Sequence, residues 1–192
     1  MLAKREKRSP TIDCTMQDPL SATQSWLETA VIGLNLCPFA KAEHVHGRIR
    51  YCVSEATQAQ ALLGDLERAL LHLHAADPAQ VETTLLIHPK VLHDFLDYND
   101  FLAQADALVQ TLGLEGELQI ASFHPQFQFA GSGVDDISNY SNRSPYPTLH
   151  ILREASVERA VAAFPDAEMI YARNIATLAA LGHAGWGKLW AK

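Results

Sequence analysis

The residues best equipped for chemistry crowd into one segment, FHPQFQFAGSGVDDISNYSNRSPYP, from Phe123 to Pro147. His124 opens it. An imidazole that titrates near neutrality suits a general acid–base or a metal ligand, and Asp135 or Asp136 is placed to orient it. Arg143 stands near the far end, between Asn142 and Ser144. Its planar fork matches a carboxylate or a phosphate, and both neighbours can add hydrogen bonds. The competing reading ties Arg143 to Asp135 or Asp136 inside the loop and hydrogen-bonds His124 to the loop backbone. Phe127, Phe129, Tyr140 and Tyr146 are interleaved with these polar groups and can anchor them to a core. Pro145 and Pro147 restrict the backbone on either side of Tyr146, and either can follow a cis bond.

Other candidates lie outside that segment. Cys37, in LCPFA, is a nucleophile if Pro38 opens a helix and leaves the thiol at its N-cap; if Cys37 merely ends the preceding helix, it packs. Arg48 and Arg50 share a strand face and Arg153 ends the last strand, so each can assist Arg143 with an anion or lie on a solvated edge. His124, Asp135, Asp136 and His150 have ligand chemistry for zinc, iron or manganese, but their spacing matches no H-E-x-x-H, paired C-x-x-C or EF-hand pattern. His44 and His46, read as extended, point the same way and could join Cys37 at a zinc. His72 and His74 face apart on a helix. The AGSG of Ala130 to Gly133 lacks the Lys-Ser/Thr ending of a phosphate loop.

Hydrophobic periodicity gives the elements that must position these groups. A helix is expected from Ser21 to before Pro38, capped by Asp18 or Ser21, with Leu27, Ala30, Val31 and Leu34 on one face. A strand at 48–53 follows, then a helix at 57–75 striped by Leu62, Leu66, Leu70 and Leu73. Another strand is expected at 81–87, a helical region at 91–112 that the DYND stretch can interrupt, and strands at 118–123 and 148–152. Two helices close the chain, 156–164 and 166–181, with Gly182 at a helix end. Strands separated by helices predict an α/β fold: one layered domain, residues 19–192, with a four-stranded mixed sheet and helices packed on it. An α+β plan or a ferredoxin-like variant is the alternative, although the helix between the second and third strands fits the latter poorly. The long loop leaves the carboxyl end of a strand, where open α/β sheets bind ligands.

Composition narrows the function classes. The chain has 192 residues, 48% of them hydrophobic and 19% charged, which is enough apolar content for a core and excludes a disordered chain. The formal net charge of -7 disfavours nucleic-acid binding. Residues 1–18 are polar, basic at the start, and read as a flexible tail. No apolar run reaches the ~18 residues of a membrane span. Three cysteines, Cys14, Cys37 and Cys52, without an export signal predict free thiols in the cytoplasm.

Four segments together, LCPFA at 36–40, TTLL at 83–86, FHPQFQF at 123–129 and NRSPYPTLHILRE at 142–154, resemble the uncharacterised bacterial family called domain of unknown function 1415. The resemblance covers about residues 18–189. It implies no reaction and no cofactor. Its motif positions here are Cys37, His124, Asn142, Arg143, Ser144, Tyr146 and Arg153. The resulting expectation is an enzyme acting on a small anionic metabolite. His124, Cys37 and Asp136 would be its catalytic groups, and Arg143, Asn142, Ser144, Tyr146, Arg153 and Arg48 its binding groups. A non-catalytic small-molecule or metal-binding module is the alternative, as is an interaction domain using Trp186 and Trp190. Oligomeric state is left open.

Overall fold

The computed structural model describes residues 18–163 and 169–190, so the expected tail falls outside the described residues up to Asp18. The Asp18 carboxylate accepts the Ser21 N–H (3.1 Å) and caps α1, Pro19–Trp26. Pro19 suits the first helical position because the N–H it lacks would have no partner there. The helix then widens into a π-helical stretch, Leu27–Ile32. Its signature is the Gly33 N–H reaching Glu28 O (3.0 Å). Trp26, Leu27, Ala30 and Val31 turn inward as their spacing predicts. The helix stops earlier than expected, and the chain turns through Asn35 (φ 53°) into a short helix α2, Ala40–Val45.

Strand β1, Ile49–Val53, leads into α3, Ala59–Ala75. The stripe of Leu62, Leu66, Leu70 and Leu73 is fully buried, which makes this helix's apolar face its main source of stability. Strand β2, Thr83–Ile87, is buried throughout. Helix α4, Phe95–Thr111, starts at Asp94, whose carboxylate accepts the Leu96 and Asp97 N–H groups. The DYND stretch does not interrupt it. Asp97, Asn99 and Asp100 face solvent while Tyr98 points inward, so the polar residues fall on the helix's outer side.

Strand β3, Leu118–Phe123, is followed by the long loop, which contains a 3-10 helix, Ile137–Ser141. Strand β4, Thr148–Arg153, α5, Glu154–Ala163, and α6, Met169–Lys188, complete the chain. Gly182 adopts φ 62° inside α6 and kinks it, a conformation that glycine reaches without steric cost.

The strands form a four-stranded mixed sheet in the order β1-β2-β4-β3. β1 and β2 run parallel, and β4 is antiparallel to both β2 and β3. Alternation divides the side chains between two faces. Cys52, Leu86, Leu118, Leu149 and Ile151 pack against α3 and α4. Ile49, Tyr51 and Phe123 pack on the other side with Trp26, Leu178 and Trp186. The molecule is therefore an α/β domain with helices on both faces of the sheet. A ferredoxin-like plan would leave one face to the helices and the other open, and the strand order differs as well. No helix among the described residues is long and apolar enough to cross a membrane.

Candidate functional site

A cleft of about 530 Å³ opens where the first helical unit, the long loop and the start of α6 meet. Val31 contributes from the π-helical stretch and Leu36 and Cys37 from the turn after it. Phe123 comes from the end of β3, with Phe129, Ser141 and Asn142 from the loop. Ile170, Tyr171 and Asn174 close the far side from the first turns of α6. Among the described residues, every side chain in this lining is uncharged. The π-helical widening changes the register of the chain just before Val31, and such insertions often accompany functional sites.

The polar groups of the cleft are held by bonds behind it. The Asn142 amide donates to Ser122 O (3.2 Å) and accepts the Ser141 hydroxyl (2.9 Å). Asn174 donates its amide N–H to Leu36 O (2.8 Å), joining α6 to the turn that carries Cys37. The Cys37 thiol is half-buried at the cleft wall and free of any disulfide. It lies two residues before the cap position of α2, which Phe39 holds, rather than capping the helix itself.

His124 and Arg143 are absent from this lining. His124 is fully buried. Its Nε2 donates to Leu92 O (3.1 Å), and its Nδ1 accepts the Gln126 N–H (3.0 Å). Burial pulls its pKa from the ordinary 6.5 down to about 4. With both ring nitrogens engaged, no lone pair is left to take a proton from a substrate. Arg143 donates to Phe127 O (3.2 Å) and Val134 O (2.7 Å), and its guanidinium lies 4.4 Å from the Tyr140 ring centroid. The loop is thus tied by its own arginine, through carbonyls and an aromatic face.

Two residues that organise this region, Asn139 among the loop's polar groups and Tyr98 in DYND, have no role assigned in the sequence reading. Asn139 is fully buried. Its Oδ1 accepts the Phe129 N–H (3.0 Å) and the Ser132 hydroxyl (2.8 Å), and its amide donates to Gly133 O (2.8 Å). Tyr98 is also fully buried; its hydroxyl donates to Thr148 O (2.9 Å) and accepts the Phe123 N–H (3.2 Å). It clasps the end of β3 to the start of β4. The one signal for Asn139 was an amide among aromatics in a long loop. For Tyr98 it was an aromatic at an inward helical position amid acids.

The remaining candidates are spread over the molecule. Asp136 is exposed and caps the 3-10 helix by accepting the Ser138 N–H (2.9 Å), which holds its carboxyl below the usual range. Asp135 is exposed beside it. Ser144 is buried and donates to Tyr146 O (2.6 Å), with Tyr146 partly buried. The bonds before Pro145 and Pro147 are trans. Arg48 forms a two-pronged pair with Glu43 (2.8 and 2.9 Å). Arg153 donates to the carbonyls of Leu73, Ala76 and Val81, closing the C-terminal end of α3. His150 shares a sheet face with Thr83, its Nε2 2.7 Å from the hydroxyl, and desolvation lowers its pKa to about 4.

His44 sits in α2, 3.6 Å from Glu28, so His44 and His46 are not the extended pair that spacing suggested. Trp186 is buried against Tyr140 (5.0 Å) and Trp190 (5.9 Å), which makes it core rather than docking surface. Among the described residues no three His, Cys, Asp or Glu side chains converge as a metal would require. The expected set of His124, Asp135, Asp136 and His150 is not drawn together.

Comparison with known proteins gives one match: residues 18–188 fit the model of a family described as "Protein of unknown function (DUF1415)". No curated protein matches, and no solved structure matches.

Proposed function

Because the chain belongs to that DUF1415 family of unknown function, its membership carries no activity, and we propose that it binds a small, uncharged and largely apolar molecule in the cleft beside Cys37. One observation carries this reading: among the described residues, the lining combines apolar and aromatic side chains with a few fixed polar groups and no charge. Small-molecule sites have that make-up. Asn142 and Asn174 are oriented in advance, so a ligand would lose little by ordering them.

An anionic ligand is the less supported class. Arg143 and Arg153 donate to main-chain carbonyls and Arg48 pairs with Glu43, and none of the three is among the described residues that line the cleft. A catalytic version of this proposal would use the Cys37 thiol as nucleophile, since it is the one thiol among the described lining residues and is more nucleophilic than the Ser141 hydroxyl. Its reduced state suits a cytoplasmic setting.

The test is a fragment screen read by backbone amide shifts, with neutral aromatic amides set against aromatic carboxylates. Neutral fragments are expected to move Leu36, Cys37, Asn142 and Asn174 and to slow Cys37 alkylation by iodoacetamide. Val31→Trp, which fills the cleft, should remove both effects while the fold persists. Binding by carboxylates alone, or shifts confined to another surface, would overturn the reading.

A further inference from the structure

We infer that His124, with His88 packed nearby, forms a proton-sensitive latch that holds the turn at Gln126 beside the wall of the cleft. Both imidazoles are fully buried. His88 Nδ1 faces Val91 O (3.2 Å), so it carries the hydrogen and leaves Nε2 as a lone pair with no partner. His124 is the opposite tautomer: Nε2–H donates to Leu92 O, and Nδ1 accepts the Gln126 N–H. Two adjacent carbonyls of one segment are therefore held by two neutral rings.

Protonation keeps the bonds to Val91 O and Leu92 O and adds a second N–H to each ring. A proton on His88 Nε2 creates a donor facing no acceptor, beside the Tyr98 ring stacked at 5.7 Å. A proton on His124 Nδ1 sets one N–H against another, that of Gln126, and the bond is lost. The charged neighbours are few. His93 opposes a charge on either ring, and His124 opposes one on His88. The Asp94 carboxylate at the start of α4 favours it on His124. Tyr98, from the same helix, stays neutral because burial raises its pKa. Burial outweighs the carboxylate, and both histidines stay neutral to about pH 4.

Leu92, whose carbonyl His124 holds, adopts φ 57°, a left-handed conformation that a side-chain-bearing residue rarely takes. The latch also reaches the cleft directly. His124 follows Phe123, and its N–H donates to Asn142 O (3.2 Å); both of those residues line the cleft. Proton uptake thus loosens one wall, whether or not a ligand is bound.

The test is amide hydrogen exchange resolved by NMR on the full chain at pH 7 and pH 4, corrected for intrinsic rates. Protection of the Gln126 amide is expected to fall more than tenfold, while that of Ile151 in β4 changes less than twofold. In His124→Asn the side-chain oxygen still accepts the Gln126 N–H but does not titrate, so the loss at pH 4 should disappear. Equal Gln126 protection at both pH values in the wild type, or the same acid loss in the variant, would overturn the latch. If the variant fails to fold, the wild-type imidazole nitrogen shifts decide. Nδ1-protonated His88 and Nε2-protonated His124, neutral below pH 5, are expected; the reverse tautomers or titration near 6.5 refute the proposal.

Discussion

At Arg143 the guanidinium bridges two carbonyls of the loop and rests on Tyr140, so its removal frees three parts of that loop at once. Arg143→Ala should lower stability by about 1–3 kcal/mol in urea unfolding, because the half-buried Phe127 carbonyl and the exposed Val134 carbonyl both lose a charged donor. Cleft binding should weaken only through the loosened loop, so the change should appear in the unfolding midpoint before it appears in ligand titration. Tyr98→Phe makes a cleaner deletion. It keeps the ring and strands the Phe123 N–H, which is expected to cost about 1–3 kcal/mol by the same measurement. Asn139→Leu is expected to release Phe129 from its place in the cleft wall, seen as lost amide protection at Phe129.

The π-helical stretch depends on Gly33. A Cβ there would lie 2.2 Å from Thr29 O, a main-chain atom that cannot step aside. Gly33→Ala must therefore unwind the stretch or shift the turn that carries Leu36 and Cys37. A loss of about 1–3 kcal/mol is expected from such overpacking, together with a changed rate of Cys37 alkylation. Ordinary helix propensity would forecast a gain from the same substitution, so the sign of the change in melting temperature decides between the two. The helical stripe of α3 and the span of β3 were legible in the sequence because both follow from local periodicity. The π widening was not. It is a shift of hydrogen-bond partner that periodicity over so few residues does not reveal.

Three histidines, His88, His124 and His150, have pKa values lowered to about 4 in the folded protein against an ordinary 6.5. Between those values the unfolded chain binds protons that the folded one excludes, so stability rises with pH across this window. It is complete above about pH 6.5 and is lost as the pH falls toward 4. Each histidine contributes a slope of about 1.4 kcal/mol per pH unit at most. Urea midpoints at pH 7 and pH 5 should show a marked drop that shrinks in His150→Gln.

Local order is written in neighbouring residues. Leucines spaced by three and four must share a helix face, and a run of β-branched and leucine residues such as TTLLI favours a strand, so the α/β plan and the strand–helix alternation could be read in advance. The NRSPYP and FHPQFQF segments likewise marked the loop that shapes the cleft, and Cys37 and Asn142 both reach it. What a polar side chain does depends on which partner arrives from far along the chain. Leu92 takes the proton side of His124, Phe127 and Val134 take the fork of Arg143, and the C-terminal carbonyls of α3 take Arg153. Residue type shows which bonds a group is able to form. Packing decides which ones it does form, because a buried donor or acceptor must be met by whatever the fold brings within hydrogen-bond reach.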